Sequence, residues 1–176
     1  MPALNAPPTE WATFEGPQTT IEYMRKAVLG PRGVRSIPLR LLVERIVSGL
    51  QPKDYLSEIL AIRNFAHSHV RYLNDPLTVE LVKDPERFVE EIAANGIAVG
   101  DCDDIATFIA AMALALGREA EFVTVGFGAP GNYSHVFTRV REPKSREWIV
   151  TDPVAGTDEQ RMLDRVSTWT SHKIDV

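Results

Sequence analysis

The sequence predicts an α+β domain: a helical N-terminal half that ends in one helix apolar on nearly every side, then an antiparallel sheet packed against that helix. Three observations carry this. Apolar residues recur at helical spacing in segments up to residue 116. From residue 122 onward they give way to short runs rich in Val, Phe, Thr, Ile and Trp, separated by Gly- and Pro-bearing turns. The composition, 44% hydrophobic and 24% charged over 176 residues, is that of one folded globular domain with a core that needs no staple.

Each element follows from local chemistry. Residues 1–17, with Pro2, Pro7, Pro8 and Pro17, read as a loose N-terminal arm, and 18–176 as the single domain. Thr19 or Thr20 can cap a first helix that runs to Leu29 and is stopped by Gly30-Pro31; Ser36-Ile37-Pro38 can open a second that runs to about Ser48 and stops at Gly49. A third starts at Asp54, places Leu56, Ile59, Leu60, Ile62 and Phe65 on one face, and reaches about His69. Val70-Arg71-Tyr72 is extended and ends in the turn Asn74-Asp75-Pro76. Asp84-Pro85-Glu86 supplies an N-cap, a first-turn proline and an acid for a helix to Ala94, closed by Asn95-Gly96. Gly100-Asp101-Cys102-Asp103-Asp104 then leads into Ile105, Phe108, Ile109, Met112 and Leu116, with Gly117 ending the buried helix. Phe122 to Phe127, Tyr133 to Arg141 and Glu147 to Thr151 form the meander.

Charge narrows the partners. The chain has 19 Lys and Arg against 24 Asp and Glu, a net −5, so no broad basic surface exists to neutralise a phosphate backbone and no nucleic-acid partner is expected. Met1 to Pro8 has neither a basic nor an apolar signal-peptide region. The longest apolar stretch, Ile105 to Leu116, falls short of the ~20 residues of a membrane span, so no membrane partner is expected. With one cysteine there is no internal disulfide, and a cytoplasmic location is the expectation.

That cysteine marks the candidate site. Cys102 lies at the start of the buried helix, where unpaired backbone N–H groups and the helix dipole favour a thiolate; the alternative is a small core hydrophobe. A thiol needs a base, and of His67, His69, His135 and His172 only His135 lies in the strand-rich segment expected to face that helix. Asp152, in Thr151-Asp152-Pro153, ends the next strand. A hairpin turning between Lys144 and Ser145 sets Phe137 opposite Asp152 and His135 opposite Val154, so His135 and Asp152 share one side as diagonal neighbours roughly 7–8 Å apart at Cα. A slip of one residue would break this. Asp101, Asp103 and Asp104 oppose thiolate formation; Asp101 as N-cap with Asp104 three residues on reads as a capping box, with Asp103 complementing the dipole. Asn95 is a candidate second oxyanion donor or an αL residue closing its helix, and Trp148 a core residue or a shield for the His–Asp contact.

Gly100-Asp101-Cys102-Asp103-Asp104-Ile105-Ala106, Ser134-His135-Val136 and Asp152-Pro153 resemble the core of the transglutaminase-like superfamily, itself papain-like, and His69 to Pro76 resembles the segment preceding its nucleophile. The resemblance spans about residues 54–155, and the GDCDD form with a compact helical N-terminus is similar to small proteins of tailed phages and prophages. It implies Cys102 as nucleophile, His135 as general base and then acid, and Asp152 as the group fixing the imidazole tautomer. It further implies a thioester acyl-enzyme formed on a peptide or protein substrate, as in a cysteine protease, amidase or transglutaminase, with no metal and no organic cofactor. The competing expectation is a non-catalytic binding or assembly module that keeps the fold.

Overall fold

A computed structural model describes residues 11–12, 17–74, 80–129, 132–153 and 159–175. Three helices come first: α1 (Pro17–Leu29), α2 (Ile37–Val47) and α3 (Tyr55–His69). The starts of α2 and α3 are where short polar side chains satisfy orphan amides: Ser36 Oγ accepts from the Leu39 N–H at 3.2 Å, and Asp54 Oδ1 from the Ser57 N–H at 3.3 Å. α1 begins earlier than expected, at Pro17, a residue suited to a first turn, so Thr19 and Thr20 lie inside the helix instead of capping it. Of the expected N-terminal arm (1–17), Trp11, Ala12 and Pro17 are described: Pro17 opens α1, and Trp11 and Ala12 form β1 (Trp11–Ala12), antiparallel to β3 (Glu80–Leu81). The turn read at Asn74-Asp75-Pro76 lies largely outside the described residues.

After α3 the chain enters β2 (Val70–Tyr72), and beyond β3 it makes α4 (Pro85–Asn95) and β4 (Ala98–Gly100). β2 and β4 pair in parallel, Val70 with Ala98, Arg71 with Val99 and Tyr72 with Gly100. A parallel pair needs a long crossover, and α4 lies within it. Gly96, at φ 78°, gives α4 its left-handed stop, so Asn95 is the last helical residue rather than an αL residue.

The buried helix is α5 (Cys102–Ala115), in which every residue from Asp103 to Ala113 is buried. Met24 and Val28 of α1, Leu39 and Val43 of α2, Ile59 and Ile62 of α3 and Phe88 of α4 belong to the same apolar core, and Phe88 stacks on Phe108 with centroids 4.8 Å apart. Burying side chains of this size stabilises by about 1.5–3 kcal/mol each before ordering costs.

β5 (Ala120–Gly126), β6 (His135–Arg141), β7 (Trp148–Val150) and, after α6 (Glu159–Asp164), β8 (Thr168–Lys173) form an antiparallel sheet in the order β7-β6-β5-β8. The expected meander is therefore present, widened by β8 pairing with β5. Phe122, Val136 and Val140 join the core shared with α5, while Val123, Val125 and Phe137 on the other face pack with Met162, Leu163 and Val166. The architecture is α+β, as the sequence predicts. Among the described residues no helix is long and apolar enough to cross a membrane.

Candidate functional site

Cys102 is the first residue of α5, and its side chain is half-buried. Asp101 is the N-cap with extended backbone, and its carbonyl accepts the first helical bond from the Ile105 N–H at 3.0 Å. The approach from β4 requires a glycine: a Cβ on Gly100 would stand 2.9 Å from Cβ and Oδ2 of Asp104 and from Cζ of Phe88.

The expected capping box does not form. Asp101 makes no side-chain capping bond. Asp104, buried, turns Oδ1 to the Lys83 N–H at 2.6 Å, and Asp103 Oδ1 accepts from the Asp104 N–H at 2.9 Å. The backbone following β3 supplies a donor that draws Asp104 away from the local motif. Carboxylate oxygens of Asp101, Asp103 and Asp104 still lie within 4.8 Å of one another, which makes them the described residues best grouped to hold a cation. Two of the three, however, already accept backbone N–H bonds.

Tyr72 was not singled out from the sequence, yet it belongs here. It ends β2 opposite Gly100, and the Leu73 N–H binds the Gly100 carbonyl at 3.0 Å, so the strand end lies beside the residue that leads into Asp101 and Cys102. Burial, then the negative charges of Cys102, Asp101 and Asp103, push the phenol up to about 12. The hints in the sequence are an extended Val70-Arg71-Tyr72 without an evident partner and the resemblance of His69 to Pro76 to the segment that precedes the nucleophile.

His135 is the first residue of β6. Its Nε2 lies 2.6 Å from Asp152 Oδ2, and Asp152 is 1% exposed. The contact follows from register: Arg139 faces Val150, Val140 faces Ile149 and Arg141 faces Trp148, the pairing that a turn between Lys144 and Ser145 demands. Thr151 extends this ladder, its N–H and Oγ both reaching the Thr138 carbonyl at 3.0 and 2.7 Å, so Asp152 emerges on the side of Phe137 and His135.

His135 pairs with Val125 and tilts against Phe137, so its face of β6 is not the one on α5. Val136 and Thr138 face the helix instead, and Thr138 Oγ1 donates to the Ala106 carbonyl at 2.7 Å. The direction of the chain compensates. A short connection (116–119) sends β5 back along α5, and β6, antiparallel to β5, runs with the helix again. Cys102 and His135, each opening its element, thus come to the same end of the layer, with the imidazole at the end of its strand.

The remaining candidates stand on other elements. Asn95 is exposed on the last turn of α4. Trp148 lies under the guanidinium groups of Arg139 and Arg141, at 4.9 and 5.5 Å. His67 is exposed, whereas His69 stacks on Phe65 at 4.2 Å and its Nδ1 meets the Phe65 carbonyl at 3.1 Å, closing α3.

Comparison with known proteins decides the family. The model of the transglutaminase-like superfamily matches residues 40–153, a stretch that holds Cys102, His135 and Asp152. The chain belongs to the transglutaminase-like superfamily. No curated protein matches the sequence. Among solved structures, this superfamily member is similar to a candidate protease from Parabacteroides distasonis, with 13% identity and a TM-score of 0.56 over 78% of this chain and 27% of that one. It is also similar to a candidate cysteine protease from Cytophaga hutchinsonii, with 15% identity and a TM-score of 0.51 over 77% of this chain and 46% of that one. At such identities the likeness is one of fold, and the chain spans about a quarter and just under half of the lengths of these two proteins.

Proposed function

We propose that this superfamily member carries out thiol-dependent acyl transfer on a peptide or carboxamide. The observation that supports this best is the 2.6 Å contact of His135 Nε2 with the buried carboxylate of Asp152. A carboxylate there fixes one ring nitrogen as the N–H donor and leaves Nδ1 with a lone pair for the thiol proton. In this reading the Cys102 sulfur gives its proton to Nδ1 and attacks the carbonyl carbon. The tetrahedral oxyanion collapses to a thioester, and the leaving amine takes the proton from His135. Water or an acceptor amine then attacks the thioester, His135 again taking and returning the proton, and Cys102 is released. The Cys102 N–H at the start of α5 is the natural first oxyanion donor. Hydrolysis and cross-linking share the acyl-enzyme; we favour a peptidase or amidase. The likeness of the GDCDD segment to small phage and prophage proteins supports a phage-derived setting.

The test is the pH dependence of Cys102 alkylation by iodoacetamide. Rapid alkylation at pH 6, abolished in His135→Ala, is expected of a thiolate–imidazolium pair, because an ordinary thiol loses reactivity below about 8.5. Reactivity indifferent to His135 would sink the reading. One observation favours a second reading: the three carboxylates grouped at the start of α5 suit a binding module that kept the fold without the chemistry. Mass spectrometry after incubation with protein extract separates the two, an acyl adduct on Cys102 supporting the enzyme and co-purification without an adduct the module.

A further inference from the structure

A pair of strands has two outer edges, each with backbone groups that a third strand could meet. In β2-β4 one of them is closed. The Leu73 N–H to Gly100 carbonyl bond at 3.0 Å, with Tyr72 opposite Gly100, means that Gly100 bonds across to β2. In a parallel ladder Val99 then turns its N–H and carbonyl away from β2, and Tyr72 turns its own away from β4. Both groups of Val99 are satisfied: the N–H donates to Glu91 Oε2 at 3.4 Å, and the carbonyl accepts from the Lys83 ammonium, itself 3.2 Å from Glu91. On β2 the Val70 N–H is taken by the Ala66 carbonyl, whereas no described residue bonds to the N–H or the carbonyl of Tyr72. This open edge ends in exposed apolar side chains, Tyr72 at 47% and Leu73 at 60%, with Val99 exposed on the partner strand.

We propose that the open edge of β2 is the track on which the acyl donor binds: an extended peptide segment with large apolar side chains, lying parallel to β2 as a third strand. Tyr72 offers one donor and one acceptor on the same edge, the pair that a parallel strand meets with a carbonyl and an N–H of its own. A helix has no free backbone to give such an edge, so the substrate segment is an extended one. Direction follows from the pairing. β2 and β4 run the same way and β4 leads through Asp101 into Cys102, so a chain laid along β2 heads for the start of α5. An extended chain advances about 3.3 Å per residue, which puts the reacting carbonyl about two or three residues beyond the one bonded to Tyr72. The residues before that carbonyl stay attached through both half-reactions, so contacts to them serve acylation and release alike. The apolar preference comes from Tyr72, Leu73 and Val99, which group three exposed large apolar side chains on one strand pair.

The inference rests on the proposed function in taking Cys102 as the atom the substrate must reach, and its test needs only a thiol that alkylates. The full chain is treated at pH 9, where an ordinary accessible thiol is largely ionised, with acetyl-Leu-Ala-Leu-Ala chloromethyl ketone; the sulfur displaces chloride and tethers the peptide by its acyl end, at high effective concentration. Amide hydrogen exchange by NMR is then compared with that of the chain alkylated by iodoacetamide. The Tyr72 amide is expected to exchange at least about tenfold more slowly in the peptide adduct, with the Val99 amide unchanged because its partner is already in place. Equal exchange of Tyr72 in the two adducts overturns the proposal, and so does a Cys102 that iodoacetamide reaches and the peptide reagent does not. The His135→Ala alkylation profile keeps the two ideas apart. Protection of Tyr72 alongside indifference to His135 removes the triad and leaves the track standing; the opposite pattern removes the track alone.

Discussion

In the sheet β7-β6-β5-β8, His135 meets Asp152 because a tight hairpin dictates which residue faces which. In the pair β2-β4, Tyr72 comes opposite Gly100, two residues before Cys102, because two segments separated by all of α4 are pressed together. The first contact is inherited from a turn: the Glu142 N–H binds the Glu147 carbonyl at 2.9 Å, the Arg146 N–H binds Glu142 at 2.9 Å, and Arg146 accepts a left-handed φ of 63° to close it. The second has no local author. It depends on Gly100 letting the strand approach Asp104 and Phe88. The difference teaches that the two halves of this site fail in different ways, one through chemistry with the backbone intact, the other through backbone displacement.

The largest effect is expected in the hairpin half. Asp152→Asn keeps shape and burial but removes the anion facing His135 Nε2, and acylation by an activated ester is expected to fall on the order of 10³-fold or more with the melting temperature little changed. A loss under about tenfold would mean that the carboxylate only holds the strand end. The junction half is broken by Gly100→Ala, whose Cβ meets three atoms at 2.9 Å. Urea titration should show a loss of about 1–3 kcal/mol, and the displaced start of α5 should slow alkylation of Cys102 at pH 6 with it. Retention of both would show that β4 shifts freely.

The smallest effect sharpens the comparison from outside the site. His172 on β8 lies 3.0 Å through Nε2 from Thr124 Oγ1, and burial, with Arg25 nearby, holds its imidazole below the usual 6.5. Below pH 6.5 the unfolded chain binds a proton that the folded protein refuses, so this contribution to stability is complete above 6.5 and is lost as pH falls toward the lower folded value. Thermal melts of His172→Gln should show a shallower decline below pH 6.5 than the parent, while alkylation of Cys102 stays unchanged. An equally steep decline would assign the acid sensitivity elsewhere.

What could be read from residues alone follows the same division. The caps at Ser36 and Asp54, the stop at Gly96 and the hairpin register are decisions made within a few neighbours, where hydrogen bonding and turn geometry have few alternatives. The capping box at Asp101 and Asp104 reads just as well but yields to the distant Lys83 N–H. Tyr72 looks like any strand residue until β4 is set beside it. β8, Thr-Trp-Thr-Ser-His-Lys, is mostly exposed and lacks the alternation that betrays a half-buried strand; only its pairing with β5 makes it one.

That last strand governs how the molecule behaves toward its own copies. β5 is buried at every one of its 7 residues, between β6 on one side and β8 on the other. Were β8 to peel away, a long apolar strand would present a row of open amides and carbonyls, a template for sheet-to-sheet aggregation. The segment that covers it ends the sheet with hydroxyls, a histidine and a lysine, residues that discourage further strand addition. On this side of the sheet the strand that a second chain would meet is therefore the largely polar β8, with Trp169 its one exposed large apolar side chain, and not the buried β5.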